Sequence, residues 1–362
     1  MKIKDIELYR LSVPLKRPFK TALRTVDAAE ALIVKVLTDT EHSGYGEAPP
    51  TAVITGDTLE SVAGAVERFI KPKLVGMDVS NLEGIMERIE TSMVHNTSAK
   101  AAVDMAVYDL YGKLYHAPLY RLLGGYRQFL ETDVTISLNE VGVMVEDSVR
   151  AVEDGYGILK VKVGGGFPAD LERVRQIRKA VPPEVRLRVD ANQGWTAKES
   201  VRIIRAMEEG GLDIELVEQP VRAGDVEGLK FVTDHVATEI LADEAVFSVQ
   251  NAVDIIQLRA ADLINIKLMK TGGIYNALKI CGLAETYHVS CMIGCMLETN
   301  VAITAAAHFA MAKRNVTLVD LDGPALSRYN PVQGGALFDG SRITLTEAPG
   351  LGISAIEGLT AF

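Results

Sequence analysis

Five short runs of the chain end in a charged residue: LKVK at Lys162, RLRVD at Asp190, IELVE at Glu218, EILAD at Asp243 and LINIK at Lys267. The intervals between these ends are 28, 28, 25 and 24 residues, the length of one strand, one helix and two loops. Three carboxylates flanked in sequence by two lysines suit a divalent cation with a base on either side. Oxygen-only donors favour Mg²⁺, and no HxH, HExxH or CxxC pattern competes for a softer metal. The matching chemistry is removal of a proton from carbon beside a carboxylate. That proton is so weakly acidic that a base needs a cation to stabilise the enediolate it makes. Asn192, Gln193, Gln219 and Glu244 follow the acidic residues closely and could orient them. The plainer reading, acidic residues where strands meet solvent, serves for one carboxylate but poorly for three on successive strands.

Lys160 and Lys162 are two apart, so both point to one side of their strand. A lysine facing a barrel interior must be paired or neutral. Mg²⁺ or a second ammonium nearby would lower its pKa towards a usable base. Lys160 could equally snorkel to the rim as a salt-bridge partner. Lys270 reads as a surface residue.

These groups need a scaffold. Apolar runs at 132–138, 158–163, 185–190, 214–218, 239–243, 262–267, 289–293 and 316–321 alternate with amphipathic segments such as ADLERVRQIRKAV and AKESVRIIRAMEEGG. Eight strands with helical crossovers predict a parallel (β/α)₈ barrel presenting residues at the C-terminal ends of its strands. The first 125 residues read as an α+β capping domain: strands at 2–12, 31–38 and 43–48, then helices. One helix over 58–70 is predicted to start with Asp57 and Glu60 and to stop before Pro72. Another, 98–114, places Ala99, Val103, Ala106, Val107 and Leu110 on one face. The barrel is assigned to 126–324. Residues from about 325 to 362, rich in Gly and Pro, are expected to return to the amino-terminal domain and complete it.

The chain has 362 residues, 48% of them hydrophobic, and a net charge of −10, which argues against non-specific nucleic-acid binding. It does not exclude an anionic small substrate beside a bound cation. The amino terminus lacks the apolar run of a signal peptide, and VAITAAAHFAMA at 301–312 is too short to span a bilayer. Cys281, Cys291 and Cys295 are odd in number and make no CxxC, which fits a reducing cytoplasm.

KVK at 160–162, DANQGW at 190–195, VEQP at 217–220, ADE at 242–244 and INIKLMKTGG at 264–273 together resemble the enolase superfamily, muconate-lactonizing subgroup. The likeness runs over the full chain, GYGEAPP at 44–50 and DMAVYDLYGK included. It implies that the capping domain covers the barrel mouth and selects substrate. It further implies one Mg²⁺ per subunit on Asp190, Glu218 and Asp243, acid–base roles for Lys162 and Lys267, and help from Lys160 to the substrate carboxylate.

Within the subgroup the chain is similar to dipeptide epimerases, some of which act on alanyl-glutamate. In VDLDGP the alternate spacing sets Asp320 and Asp322 on one side, suited to an α-ammonium group. A lone DxD would read as a solvated acidic turn. Arg24 in FKTALRT resembles the residue that meets a glutamate side chain, though beside Lys16, Arg17 and Lys20 it could be a plain surface arginine. Thr135 and Cys295 complete the implied substrate contacts; Cys295 stands where some relatives have Ser. The implied partners are a small dipeptide and further copies of the chain, with no nucleic acid or membrane. N-acylamino-acid racemase, succinylbenzoate synthase and muconate cycloisomerase remain alternatives on the same scaffold. Their substrates lack a free amine for Asp320 and Asp322. A non-catalytic binding barrel would have no reason to keep both lysines and all three carboxylates.

Overall fold

The computed structural model describes residues 1–21 and 23–362. Three antiparallel strands, β1 (Ile3–Lys20), β2 (Thr25–Thr38) and β3 (Ser43–Ala48), form a sheet in the order of the chain. β1 and β2 run well beyond 2–12 and 31–38. Their ladder continues to Pro14–Ala28 and resumes at Phe19–Val26 beyond an irregularity. Proline lacks a ladder donor, so Pro14 and Pro18 read as a stop where the chain only makes a bulge.

Helix Thr97–Leu114 packs on this sheet. Its expected stripe is only part of what it buries: Ala101, Ala102 and Met105 are buried as well, and little of the helix faces water. The close approach depends on Gly44 and Gly46, where an added Cβ would lie 2.0 Å from the Ala106 carbonyl oxygen and 1.8 Å from that of Ala102.

The helix expected over 58–70 starts differently. Thr58 and Ser61 form its capping box, not Asp57 and Glu60. It also passes Pro72, through a π-helical turn (Val66–Ile70) into Lys71–Leu74. Near the start of that last segment proline's missing N–H costs little.

The eight barrel strands are parallel and stand in chain order: Val134–Ile136, Ile158–Lys162, Arg186–Asp190, Ile214–Glu218, Glu239–Ala242, Leu263–Lys267, Ser290–Gly294 and Val316–Asp320. The seam between first and eighth is tied by side chains. Leu321 N–H donates to Thr132 Oγ1 at 2.8 Å, and Arg188 Nη1 donates to Val319 O at 3.0 Å and Asp133 Oδ2 at 2.8 Å. Leu216, Leu241, Leu263 and Met292 make an apolar floor inside the barrel. After the eighth strand comes a short turn of helix, Gly323–Leu326, and then small strands, the last of which, Thr360–Ala361, pairs with β1. Among the described residues no helix is long and apolar enough to cross a membrane.

Candidate active site

Parallel register sets the strand-end residues side by side: Lys162 pairs with Asp190, and Asp190 with Glu218. Inside the mouth their side chains form an alternating ionic cluster. Lys160 Nζ lies 2.6 Å from Asp320 Oδ2, 2.8 Å from Glu218 Oε2 and 3.2 Å from Asp190 Oδ2. Lys162 Nζ is 2.6 Å from Asp190 Oδ2, and Lys267 Nζ is 2.6 Å from Asp243 Oδ2. Lys160 therefore points inward and does not snorkel.

Lys270 is not a surface residue. It is fully buried, 2.6 Å from Asp243 Oδ1, and it donates to the carbonyls of Asp243 and Asn265. The turn Leu268–Thr271 folds it back beneath its own strand, where a carboxylate and two carbonyls replace water.

Of the expected helpers, Asn192 bonds carboxylates of the cluster directly, and Gln219 and Gln193 hold backbone. Asn192 N–H donates to Asp190 Oδ1 at 2.8 Å, and Asn192 Nδ2 to Glu244 Oε1 at 3.3 Å. Gln219 Oε1 accepts the N–H groups of Asp243 (2.9 Å) and Ala245 (3.1 Å). Gln193 Oε1 accepts from Ala223 N–H at 2.9 Å, fixing backbone rather than a carboxylate. Asn192, Gln193 and Gln219 all hold positive φ (42°, 67° and 35°), backbone strain of the kind that collects at functional sites.

Burial and crowding of like charge set the electrostatics. Burial and Asp190 push the Glu218 carboxyl up to about 7; burial, with Asp243 and Asp190, pushes Glu244 up to about 8. Burial and Asp320 raise Asp322 to about 6. Burial alone would depress the Lys267 ammonium, but Asp243 and Glu218 outweigh it and hold it above the ordinary lysine value. A second ammonium therefore does not suffice to make Lys267 a base near neutrality.

Six carboxyl groups (Asp190, Glu218, Asp243, Glu244, Asp320 and Asp322) share the space with four ammonium groups (Lys160, Lys162, Lys267 and Lys270), so the cluster is short of positive charge. Among the described residues the carboxylates are interleaved with these lysines and do not stand as a bare ligand set. Even so, Asn192 Oδ1 and Glu244 Oε2 have no hydrogen-bond partner, while Glu218 Oε2 and Asp243 Oδ1 face only the Lys160 and Lys270 ammonium groups. Hard oxygen donors, some unsatisfied, in a cation-poor cluster fit a divalent metal.

Above the cluster lies a cavity of about 50 Å³. Lys160, Lys162 and Lys267 line its floor, Thr135, Cys295, Asp320 and Asp322 its walls, and Arg24 reaches it from the β1–β2 connection. Asp322 Oδ2 accepts the Thr135 N–H at 2.6 Å, so Thr135 holds Asp322 through its backbone. Lys160 keeps the Asp320 carboxyl down at about 2 against the effect of burial. Burial lowers the Arg24 guanidinium and raises the Cys295 thiol. A larger opening of about 1190 Å³ lies alongside, lined by Lys16, Arg17, Asp147 and Arg150 among others. None of the five strand-end residues lines it, so the chemistry belongs to the smaller cavity.

Three further contributors escaped sequence reasoning. Asn265 Nδ2 donates to Glu218 Oε1 at 2.9 Å; its spacing of two from Lys267 could have revealed it. Asp170 gathers the N–H groups of Gly164, Gly165 and Gly166 and the Trp195 indole, tying the loop after Lys162 to the loop after Asp190. Glu47, on β3, reaches the loop after the seventh barrel strand.

A parallel eight-stranded barrel with lysines and carboxylates interleaved at its C-terminal mouth, beneath an α+β cap, defines an enolase-type enzyme scaffold. The chain belongs to the mandelate racemase/muconate lactonizing enzyme family: its residues 5–124 match that family's N-terminal domain and 143–358 the enolase C-terminal domain-like family. It is 56% identical to the L-Ala-D/L-Glu epimerase of Clostridium acetobutylicum, over 99% of this chain and 100% of that one. Its structure is similar to that of the substrate-liganded L-Ala-D/L-Glu epimerase of Bacillus subtilis, with TM-score 0.97 and 50% identity over 98% of this chain and 99% of that one. It is also similar to the dipeptide epimerase of Enterococcus faecalis complexed with Mg and L-Leu-L-Tyr, with TM-score 0.95 and 44% identity over 98% and 100% of the two chains.

Proposed function

We propose that this chain is a Mg²⁺-dependent dipeptide epimerase that inverts the residue bearing the free carboxylate, with alanyl-glutamate as the favoured substrate. The observation that carries the reading is one cavity shared by Lys162 and Lys267, the paired acids Asp320 and Asp322, and Arg24. Asp190, Glu218 and Asp243 are the residues that would hold one Mg²⁺, which when bound supplies positive charge to stabilise the substrate carboxylate as its α-proton leaves. Lys162 and Lys267 are the acid–base pair: one removes the α-proton and the other returns a proton to the opposite face. Lys160 pairs with the substrate carboxylate. Asp320 and Asp322 accept hydrogen bonds from the free α-ammonium, with Asp322 aimed by Thr135, and Cys295 borders the bound dipeptide. Arg24 meets the glutamate side chain.

The reading takes the chain to be a cytoplasmic homo-oligomer, and the free thiols Cys281, Cys291 and Cys295 support a reducing compartment. The test is incubation with L-Ala-L-Glu and L-Ala-L-Leu in D₂O plus Mg²⁺, read by mass spectrometry and chiral analysis. Deuterium should enter with inversion, faster for L-Ala-L-Glu, and stop on chelation. Turnover that survives chelation removes the metal assignment, and no exchange with any dipeptide removes the function.

A further inference from the structure

Glu47 is a fully buried carboxylate from the cap that serves a barrel helix. Gly44 and Gly46 press one face of β3 onto helix Thr97–Leu114, so alternation turns Tyr45 and Glu47 to the other face. Glu47 Oε1 accepts Thr299 N–H at 2.7 Å, while its Oε2 accepts the Thr299 hydroxyl at 2.6 Å and Ala302 N–H at 2.9 Å. The two N–H groups belong to the start of helix Asn300–Ala312, where backbone donors have no carbonyl one turn earlier. A carboxylate there makes charge-assisted bonds and complements the helix dipole.

Thr299 also closes the short run that begins at Gly294, the end of the seventh barrel strand. Within that run Cys295, Met296 and Leu297 line the substrate cavity. The loop is thus clamped by the strand at one end and by Glu47 at the other. Glu298, inside the run, accepts Met296 N–H at 2.9 Å and cannot substitute for that clamp. We infer that Glu47 is a positioning residue for the cavity-facing loop 295–299, setting how tightly substrate is held without taking part in proton transfer. The kinetic consequence rests on the dipeptide reading; the structural one does not.

The test compares wild type with Glu47→Gln, which keeps the size but sets an amide N–H₂ against donors, and with Thr299→Val, which removes the hydroxyl's bond to Glu47 together with its 3.4 Å cap on the Val301 N–H and leaves the charge. For Glu47→Gln, KM for L-Ala-L-Glu should rise at least about tenfold with kcat within about threefold, the split expected when ground-state binding is lost. Thr299→Val should move KM the same way by a smaller factor, and it decides the matter if Glu47→Gln does not fold. A fall in melting temperature with KM unchanged would make Glu47 a structural residue only and overturn the inference. Hydrogen exchange without substrate supplies the independent arm: 295–302 should exchange at least about tenfold faster in Glu47→Gln, with Ser290–Gly294 unchanged, as a locally loosened segment does. Should wild type epimerise no dipeptide, the functional reading fails alone. Exchange then judges Glu47: faster exchange in 295–302 supports the clamp and unchanged exchange removes it.

Discussion

At Lys267 two effects oppose each other: burial favours the neutral amine, and Asp243 at 2.6 Å favours the ammonium. Lys162 lies against a different carboxylate, Asp190, so the two lysines are separately anchored. Separate anchoring predicts separable half-reactions. Lys162→Ala and Lys267→Ala should each lower epimerisation by at least about 10³-fold, as loss of a general acid–base group does. One of them should still exchange the α-proton of a single stereoisomer with D₂O, and full epimerisation by either would exclude two-base inversion. Lys270 carries a second prediction. Lys270→Met leaves Asp243 with one ammonium fewer and strands the carbonyls of Asp243 and Asn265. Breaking a buried pair this way costs about 3–5 kcal/mol, measurable by urea unfolding. Asp243→Asn in that background should recover part of the loss. A Lys270→Met protein within about 1 kcal/mol of wild type, the range of an exposed pair, would mean that the pair is not stabilising. The sequence hid this residue because lysines usually find solvent. Only the turn after Lys267 folds this one inward.

Among the elements, those with a clear hydrophobic pattern were legible. All eight barrel strands were, because strands covered on both faces run apolar and each functional one stops at a charge. Asp190, Glu218 and Asp243 were legible for the same reason. The elements misjudged are those where tertiary contact overrides a local signal. β1 continues past Pro14 and Pro18 because β2 extends alongside as its partner, and the first cap helix passes Pro72 through a π-helical turn. Glu47 read only as a residue of the strand at 43–48, because its partners, Thr299 and Ala302, lie some 250 residues away and no local pattern encodes that contact. The β3–helix contact gives a prediction at this scale. Gly46→Ala would drive a methyl to 1.8 Å from the Ala102 carbonyl oxygen, with backbone on both sides and no flexible side chain to give way. Overpacking typically costs about 1–3 kcal/mol, and this substitution belongs at or above the top of that range. Gly64→Ala, with nothing within 4 Å of the added methyl, is the matched control. Equal thermal stability of the two variants would disprove the close approach.

Across the whole molecule, the cap is held to the barrel by buried polar groups that make specific bonds. Asp104 accepts the N–H groups of Ile274 (2.6 Å) and Tyr275 (3.1 Å), at the start of helix Ile274–Thr286. Glu47 does the same for the next helix of the barrel. On that same helix His308 Nδ1 accepts the Tyr120 N–H at 2.9 Å, which requires the neutral ring on that nitrogen. Burial holds the His308 imidazole down at about 3, against an ordinary value of 6.5. The sign follows from proton counts. Between those two values the unfolded chain binds a proton that the folded chain does not, so this contribution is complete above pH 6.5 and is lost as pH falls towards 3. Its steepest slope is about 1.4 kcal/mol per pH unit. Buried carboxyls with raised pKa, such as Glu298 at about 8, contribute with the opposite sign, so total stability does not isolate the histidine. A difference does. His308→Asn keeps an acceptor near Nδ1, loses packing equally at every pH and cannot titrate. Its deficit relative to wild type, from urea unfolding, should therefore be largest at pH 7 and shrink by about 2–3 kcal/mol by pH 4.5, following the linkage slope. A deficit that stays constant over that range would mean that His308 is protonated in the folded protein, and its bond to Tyr120 would have to be reassigned.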